Sequence, residues 1–365
     1  MGGKHTIDYE ENEVPKAFRK NSEKKPKKKG LKIFLAVILI IIIILATICG
    51  GAYWYINDKL NKMQTVNIDE SQLGITEEAN KNLSGYRNIA IFGVDSRSDD
   101  YGKGNRSDCI IIASINNLTK EVKLISVYRD TYVQIDGHGL DKITHAYSYG
   151  EAPLAIKTLN TNLDLNISEF VTVNFDSVSD AVDTLGGVTI NIESQEELKY
   201  LNSYIDETAK VTGKSNKKVS NIGKQNLNGV QAVAYSRIRY TAGGDYKRTE
   251  RMRTVIEAMA NKLKTKNIGE INNFADQILP KVYTNISAAT IMSMIPDMVS
   301  YKISNSIGWP YETKGITLDR WYGVPVTLES NVTKLHKDVF NDNDYVVPES
   351  IKTTSNTIIK KTGYK

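Results

Sequence analysis

The side chains in this sequence with chemistry to offer are aspartates and arginines at the edges of apolar runs. Asp95 follows the run 88–92 within Gly93-Val94-Asp95-Ser96-Arg97, and Asp108 opens a second run behind Arg106 and Ser107. If the backbone is extended there, Arg106 and Asp108 share a face. Arg129 and Asp130 close the run 122–127, and Arg237 and Arg239 share a face of a strand expected over 232–239. Arg248, Arg251 and Arg253 open an expected helix just after Gly243-Gly244-Asp245. Arginines beside a helix start are poorly placed against the macrodipole, which favours anions there. A bound anion would resolve the anomaly, because free backbone N–H groups and guanidinium forks would act on it together. The planar fork suits a phosphate chain, and two nearby carboxylates would hold Mg²⁺, which completes its shell with water and phosphate oxygens.

Each of these features also has a structural reading. Asp95 with Ser96 can make a turn, Asp108 can pair with Arg106 at a surface, and Arg129 with Asp130 can be an ion pair. The arginines at 248, 251 and 253 can form a solvated helix face, and His145 can be a satisfied structural histidine. No Walker A loop, no G-x-S-x-G elbow and no dinucleotide fingerprint occurs. The four histidines are scattered and no CxxC pair exists, which excludes a zinc site of conventional spacing.

The elements that must position these residues are short strands interleaved with helices. Strand signals fall at 88–92, 110–112, 122–127, 170–175, 188–192 and 232–239, and helical periodicity at 152–163, 178–185 and 246–263. This alternation predicts an α/β fold, a single layered α-β-α domain over 86–345 with a central mixed sheet covered on both faces. The polar stretch 202–223 reads as a surface excursion, and 346–365 as a loose polar tail.

Ahead of that domain, residues 33–56 carry no charge. As a helix they would be ~36 Å long, enough to span a ~30 Å hydrocarbon core with some tilt. Tyr53, Trp54 and Tyr55 sit at the far end, and residues 16–32 carry nine Lys/Arg against Glu23, so the positive-inside rule keeps the basic tail 1–32 in the cytoplasm. A stalk over 57–85 then leads to a domain outside the cell membrane. The run is too long for the apolar core of a cleavable signal peptide. The formal charge of +5 resides entirely in the first 32 residues, which removes the case for a nucleic-acid surface on the electroneutral remainder. Outside the cytoplasm there is no ATP pool, so an enzyme there needs donors that carry their own activation energy.

Taken together and in order, NIAIFGVDSR (88–97), Arg106 to Asp108, SVYRDT (126–131), KITHAY (142–147), VDTLGGV (182–188) and LNGVQAVAYSRIRYTAGGDYKRTERMR (227–253) resemble the LytR-CpsA-Psr family. The resemblance implies a Mg²⁺-assisted phosphotransferase that moves an anionic glycopolymer (teichoic acid, capsule or another wall polymer) from a polyprenyl pyrophosphate carrier to a peptidoglycan hydroxyl. It assigns Asp95 and Asp108 to the metal and Arg106, Arg129, Arg237, Arg239 and Arg248 to the pyrophosphate, with Asp245 and Arg251 in the same motif. Arg129 and Asp95 are the catalytic pair on this reading. It also implies an apolar tunnel for the polyprenyl tail. Tyr128, Cys109 and Met252 stand where the family often has Pro, Thr and Gln, and Met252 cannot donate the hydrogen bond a Gln would. A binding protein that holds lipid-linked phosphates without turnover, and a hydrolase using water as acceptor, are the rival readings. A transcriptional attenuator is disfavoured because the folded part lies outside the cell.

Overall fold

A computed structural model describes residues 2, 57–58, 62–96, 101–215, 217–294 and 297–365 of the chain. The expected span 33–56 lies outside the described residues, as do the expected tail 1–32 (Gly2 excepted) and Arg97. Among the described residues no helix is long and apolar enough to cross a membrane. In chain order, β1 (Gln64–Thr65), α1 (Glu77–Asn82), β2 (Tyr86–Val94), β3 (Ser107–Asn116), β4 (Glu121–Val127), β5 (Tyr132–Ile135), β6 (Gly139–Lys142), α2 (Ile143–Leu163) and β7 (Glu169–Asn174) come first. Next are α3 (Phe175–Thr184), β8 (Val188–Ile192), α4 (Gln195–Thr212), β9 (Gly223–Leu227), α5 (Gly229–Arg237), α6 (Gly244–Leu263) and α7 (Ile268–Ile278). The chain ends with β10 (Tyr283–Thr284), α8 (Ala288–Met294), β11 (Lys302–Trp309), β12 (Thr313–Thr317), β13 (Trp321–Pro325), α9 (Leu328–Phe340) and α10 (Glu349–Thr362).

Seven strands form the central sheet in the order β1-β10-β7-β2-β3-β4-β11. β2, β3 and β4 are antiparallel neighbours, whereas β7 runs parallel to β2 and β11 parallel to β4, so the sheet is mixed, as expected. Successive residues of a strand point to opposite faces. Ala90, Phe92 and Val94 accordingly enter one core with Ile110, Ile112 and Ile125, while Ile89 and Ile91 pack into another with Ile111, Ala113 and Leu124. Coverage on both faces is why β2 reads as a continuous apolar run instead of an alternating one. A third core gathers Val188 and Ile190 of β8, Leu201 and Ile205 of α4, and Val230 and Ala234 of α5.

Three expectations need correction. Over 232–239 the chain forms the end of helix α5, not a strand. An Asn228–Gln231 capping box starts that helix, and burial of every residue from Gly229 to Ser236 removes the period that separates a buried helix from a buried strand. Much of the expected excursion 202–223 belongs to α4, which buries Leu198, Leu201, Ile205 and Ala209 along one stripe. Within the expected loose tail 346–365, α10 docks through Ile351 and Ile358, and α9 presents Leu328, Val332, Leu335 and Val339 to the same core.

His336 of α9 is buried in that core, stacked on Tyr345 at 3.8 Å, with its Nε2–H donating to the Leu163 carbonyl at 3.0 Å. Burial holds its pKa below the ordinary 6.5, against the pull of the Leu163 carbonyl and Asp164. As pH falls below roughly 6.5 the unfolded chain therefore takes up the proton first, and stability present above that value is lost as pH falls through the folded pKa. The urea midpoint is expected to drop between about pH 7 and about pH 5, and His336→Gln to flatten that slope. An unchanged slope in the variant would contradict the assignment.

Candidate active site

Arg129 follows β4 in a turn closed by the Thr131 N–H and Oγ1, which donate to the Tyr128 carbonyl at 3.0 and 2.6 Å. From that turn its Nη1 donates to Asp108 Oδ1 at 2.7 Å, and its Nε lies 3.6 Å from Asp130 and 3.8 Å from Asp245. Burial alone would lower the Arg129 pKa, but Asp108, Asp245 and Asp130 outweigh it and raise the value. The cation is permanent. Its Nε is nevertheless buried with no hydrogen-bond partner.

A β-bulge aims Asp108 at this guanidinium. Gly93 pairs with Cys109 and Val94 with Ser107, so Asp108 is the extra residue. The bulge also breaks the alternation that would have put Arg106 and Asp108 on one face, and Arg106 is exposed. Gly93 is required by the same close approach, since a Cβ there would stand 2.8 Å from that of Cys109.

On the other side of Arg129, α6 contributes Asp245 from its first turn and Arg248 from its second. Arg248 is 1% exposed, and its Nη2 donates to Asp245 at 2.8 Å. Burial lowers its pKa, Asp245 opposes that, and the neighbouring charges of Arg129 and Arg239 lower it further. Its Nε is a second buried donor without a partner. Two like charges side by side, each with an orphaned N–H, leave two buried donors open to a further acceptor such as an anion, because an unmade buried hydrogen bond costs about 1–3 kcal/mol.

Of the sequence-expected residues, the structure thus brings together Arg129, Arg248, Asp108 and Asp245, with exposed Arg239 in electrostatic reach of Arg248. Asp95 is exposed just past the end of β2. Arg237 stands in the last turn of α5, over the rings of Phe175 and Tyr204 at 5.3 and 5.8 Å, and donates to Glu207 and Thr208. With α5 helical, Arg237 and Arg239 do not share a strand face. Arg251 is not part of the cluster. It is 2% exposed, and its three nitrogens donate to Glu197 at 2.7 Å, the Ile238 carbonyl at 3.2 Å and Thr241 at 2.9 Å. Arg253 donates to the Ile307 carbonyl, and His145 pairs with Asp141 at 2.8 Å, a structural contact in both cases.

Next to the cluster, an almost wholly apolar cavity of about 210 Å³ lies between the sheet and helices α3, α6 and α7. Ile91, Cys109 and Val173 line its sheet side, and Ala181, Met252, Val255, Met259, Phe274 and Ile278 its helical side. Burial pushes the Cys109 thiol up to about 12, so it serves as an apolar wall and not as a nucleophile. The sequence motifs did not place this lining. One signal for it was available: Arg248, Met252, Val255 and Met259 recur at i, i+4, i+7 and i+11, a single face of α6 that starts charged and becomes apolar.

A family model described as the LytR_cpsA_psr family matches residues 51–319. The chain belongs to the LytR-CpsA-Psr family. It is 33% identical to the polyisoprenyl-teichoic acid–peptidoglycan teichoic acid transferase TagU of Enterococcus faecalis strain ATCC 700802 / V583, over 71% of this chain and 79% of that protein. It is 35% identical to TagU of Bacillus subtilis strain 168, over 68% and 76%. Among solved structures it resembles the LytR-CpsA-Psr protein YwtF (TagT) of Bacillus subtilis with bound octaprenyl pyrophosphate lipid, with TM-score 0.53 and 26% identity over 71% of this chain and 92% of that one. Cys109 and Met252 both face the apolar cavity, where a thiol and a thioether cost less than a hydroxyl or an amide.

Proposed function

We propose that this protein transfers an anionic glycopolymer from a polyprenyl pyrophosphate carrier to a sugar hydroxyl of peptidoglycan, forming a phosphodiester. The observation that carries this reading is the pair of buried guanidinium groups with orphaned Nε donors, set beside an apolar cavity. A diphosphate supplies the acceptors that Arg129 and Arg248 lack, and a polyprenyl chain suits the cavity. Arg239, Arg106 and Arg237 would extend the cationic rim, and Asp245 orients Arg248. The acceptor oxygen bonds to the phosphorus bearing the glycan, the bond from that phosphorus to the bridging oxygen breaks, and polyprenyl phosphate leaves. The hydroxyl proton passes to a carboxylate of the site or to water. Arg129 stabilises the charge that grows on the phosphoryl oxygens.

Asp95 and Asp108 come from the adjoining ends of β2 and β3, and such hard oxygen donors fit Mg²⁺. Mg²⁺ takes one or two carboxylates and fills its shell with water and phosphate oxygens. Bound there, Mg²⁺ would neutralise phosphate charge. The uncharged residues 33–56 would anchor the chain in the membrane with the domain outside.

The test is to incubate the full-length protein in detergent with a lipid-linked glycopolymer and soluble peptidoglycan. Covalent product with one polyprenyl phosphate per link supports transfer. Phosphate release without linkage marks a hydrolase, and neither product marks a binding protein; either result overturns the proposal. Met259→Trp, which fills the cavity, is expected to displace several methylenes of the carrier at ~0.8 kcal/mol each and so raise the donor KM at least about tenfold. Melting temperature should stay close to that of the parent. An unchanged donor KM would remove the cavity from the carrier's path.

A further inference from the structure

On the opposite face of the sheet from the apolar cavity, hairpins β5–β6 and β12–β13 meet through a Thr131–Gly323 bridge. Together with the end of α10 they wall a groove of about 430 Å³, within the range of small-ligand sites. Tyr132, His138, Asp141, Arg320, Tyr322 and Lys361 line it. The arginine cluster uses none of them.

Three properties of this groove define a ligand. First, it offers a flat ring face: exposed His138 stacks on Tyr149 at 4.1 Å and 11°, beside a floor of buried Tyr132 and Tyr322, which pack on each other at 4.6 Å. Second, its acceptors are held in place. Asp141 Oδ2 accepts from His145 Nδ1 and Tyr149 OH, each at 2.8 Å, and Oδ1 accepts from the Lys142 N–H at 2.7 Å. Asp319 accepts from Tyr322 OH at 2.7 Å and from Arg320 Nε at 2.8 Å. A carboxylate has about four acceptor sites, so both keep capacity for further donors. Third, Arg320 spends only Nε on Asp319, and with exposed Lys361 it provides cationic donors. Rigid acceptors, free donors and a flat ring face in one groove match a molecule whose hydroxyls both donate and accept and whose ring has an apolar side. That is a sugar chain. A lipid would leave the carboxylates' remaining acceptor sites unfilled, and a simple anion would be repelled by them.

The groove is wired to the phosphate cluster. Lys142 Nζ donates to Asp130 Oδ1 at 2.7 Å and lies 5.7 Å over the Tyr322 ring, and the Gly323 N–H donates to the Asp130 carbonyl at 2.9 Å. Asp130 is the chain neighbour of Arg129. We propose that this groove is a glycan subsite that holds the acceptor strand, so that carrier and acceptor reach the Arg129 turn from opposite faces of the sheet. This subsite rests on the transfer reading.

The experiment measures binding of full-length protein in detergent to soluble, uncharged glycan strands and, separately, to free anionic glycopolymer, for the parent, His138→Ala and Arg320→Ala. Each substitution is expected to weaken strand binding about tenfold, the equivalent of one aromatic contact or charged hydrogen bond, and to leave glycopolymer binding within twofold. In the transfer assay the acceptor KM should rise by the same factor, with kcat and the donor KM unchanged. Strand affinity equal to the parent's in both variants overturns the proposal, and so does a loss confined to the glycopolymer. If the parent releases no polyprenyl phosphate under any condition, the transfer reading fails, while strand binding still decides whether the groove takes glycan.

Discussion

Arg129→Ala is expected to lower transfer on the order of 10³-fold, with the domain still folded. The magnitude follows from where the charge sits. Arg129 is held by a closed turn and three carboxylates before any ligand arrives, so its donors need no reorganisation when charge builds on the phosphoryl oxygens. Its removal also leaves Asp108 half-buried without its cation. Arg129→Lys is expected to recover little, because an ammonium cannot hold Asp108 and reach a phosphate oxygen with one rigid fork. The measurement is covalent product per unit time at saturating donor, alongside a denaturation curve. Transfer within tenfold of the parent in a folded Arg129→Ala protein would take Arg129 out of the chemistry.

The second large effect concerns stability. Arg251→Met leaves the Glu197 carboxylate 2% exposed and facing an uncharged side chain, and a buried ion pair broken on one side costs about 3–5 kcal/mol. Glu197 is also tied to the Glu193 N–H at 2.7 Å, so it cannot swing out to water without undoing the start of α4. The double variant Glu197→Gln/Arg251→Met should recover part of the loss, since no buried charge remains. Urea unfolding separates the outcomes. If Arg251→Met unfolds at the parent's midpoint yet loses donor affinity, Arg251 serves the ligand and not the fold.

These two arginines lie in two different motifs of the resemblance, Arg129 in SVYRDT (126–131) and Arg251 in the stretch 227–253, and nothing in local pattern separates their roles. Their difference is one of surroundings: Arg129 meets three carboxylates and keeps an orphaned donor, whereas Arg251 is satisfied on every nitrogen. The α6 stripe through Met252, Val255 and Met259 was legible as a helix face, but the cavity it borders was not. A cavity exists only where α3, α7 and the sheet fail to fill the space opposite that face. The bulge at Asp108 was equally hidden, because a single residue out of register leaves no trace in composition.

By itself the sequence determined the class of fold, most strands of the central sheet, the family and the residue types available to bind a diphosphate. These follow from short-range periodicity and from ordered motifs, which are properties of neighbours along the chain. Helix α5, the docking of α10 and the choice of which arginines converge were decided only by tertiary packing. Asp108 and Arg129 are 21 residues apart, and Asp245 and Arg248 lie more than a hundred further on. Ion pairs across such separations are set by strand order, register and helix seating, and burial then decides which charge is spent on the fold and which is left for a ligand.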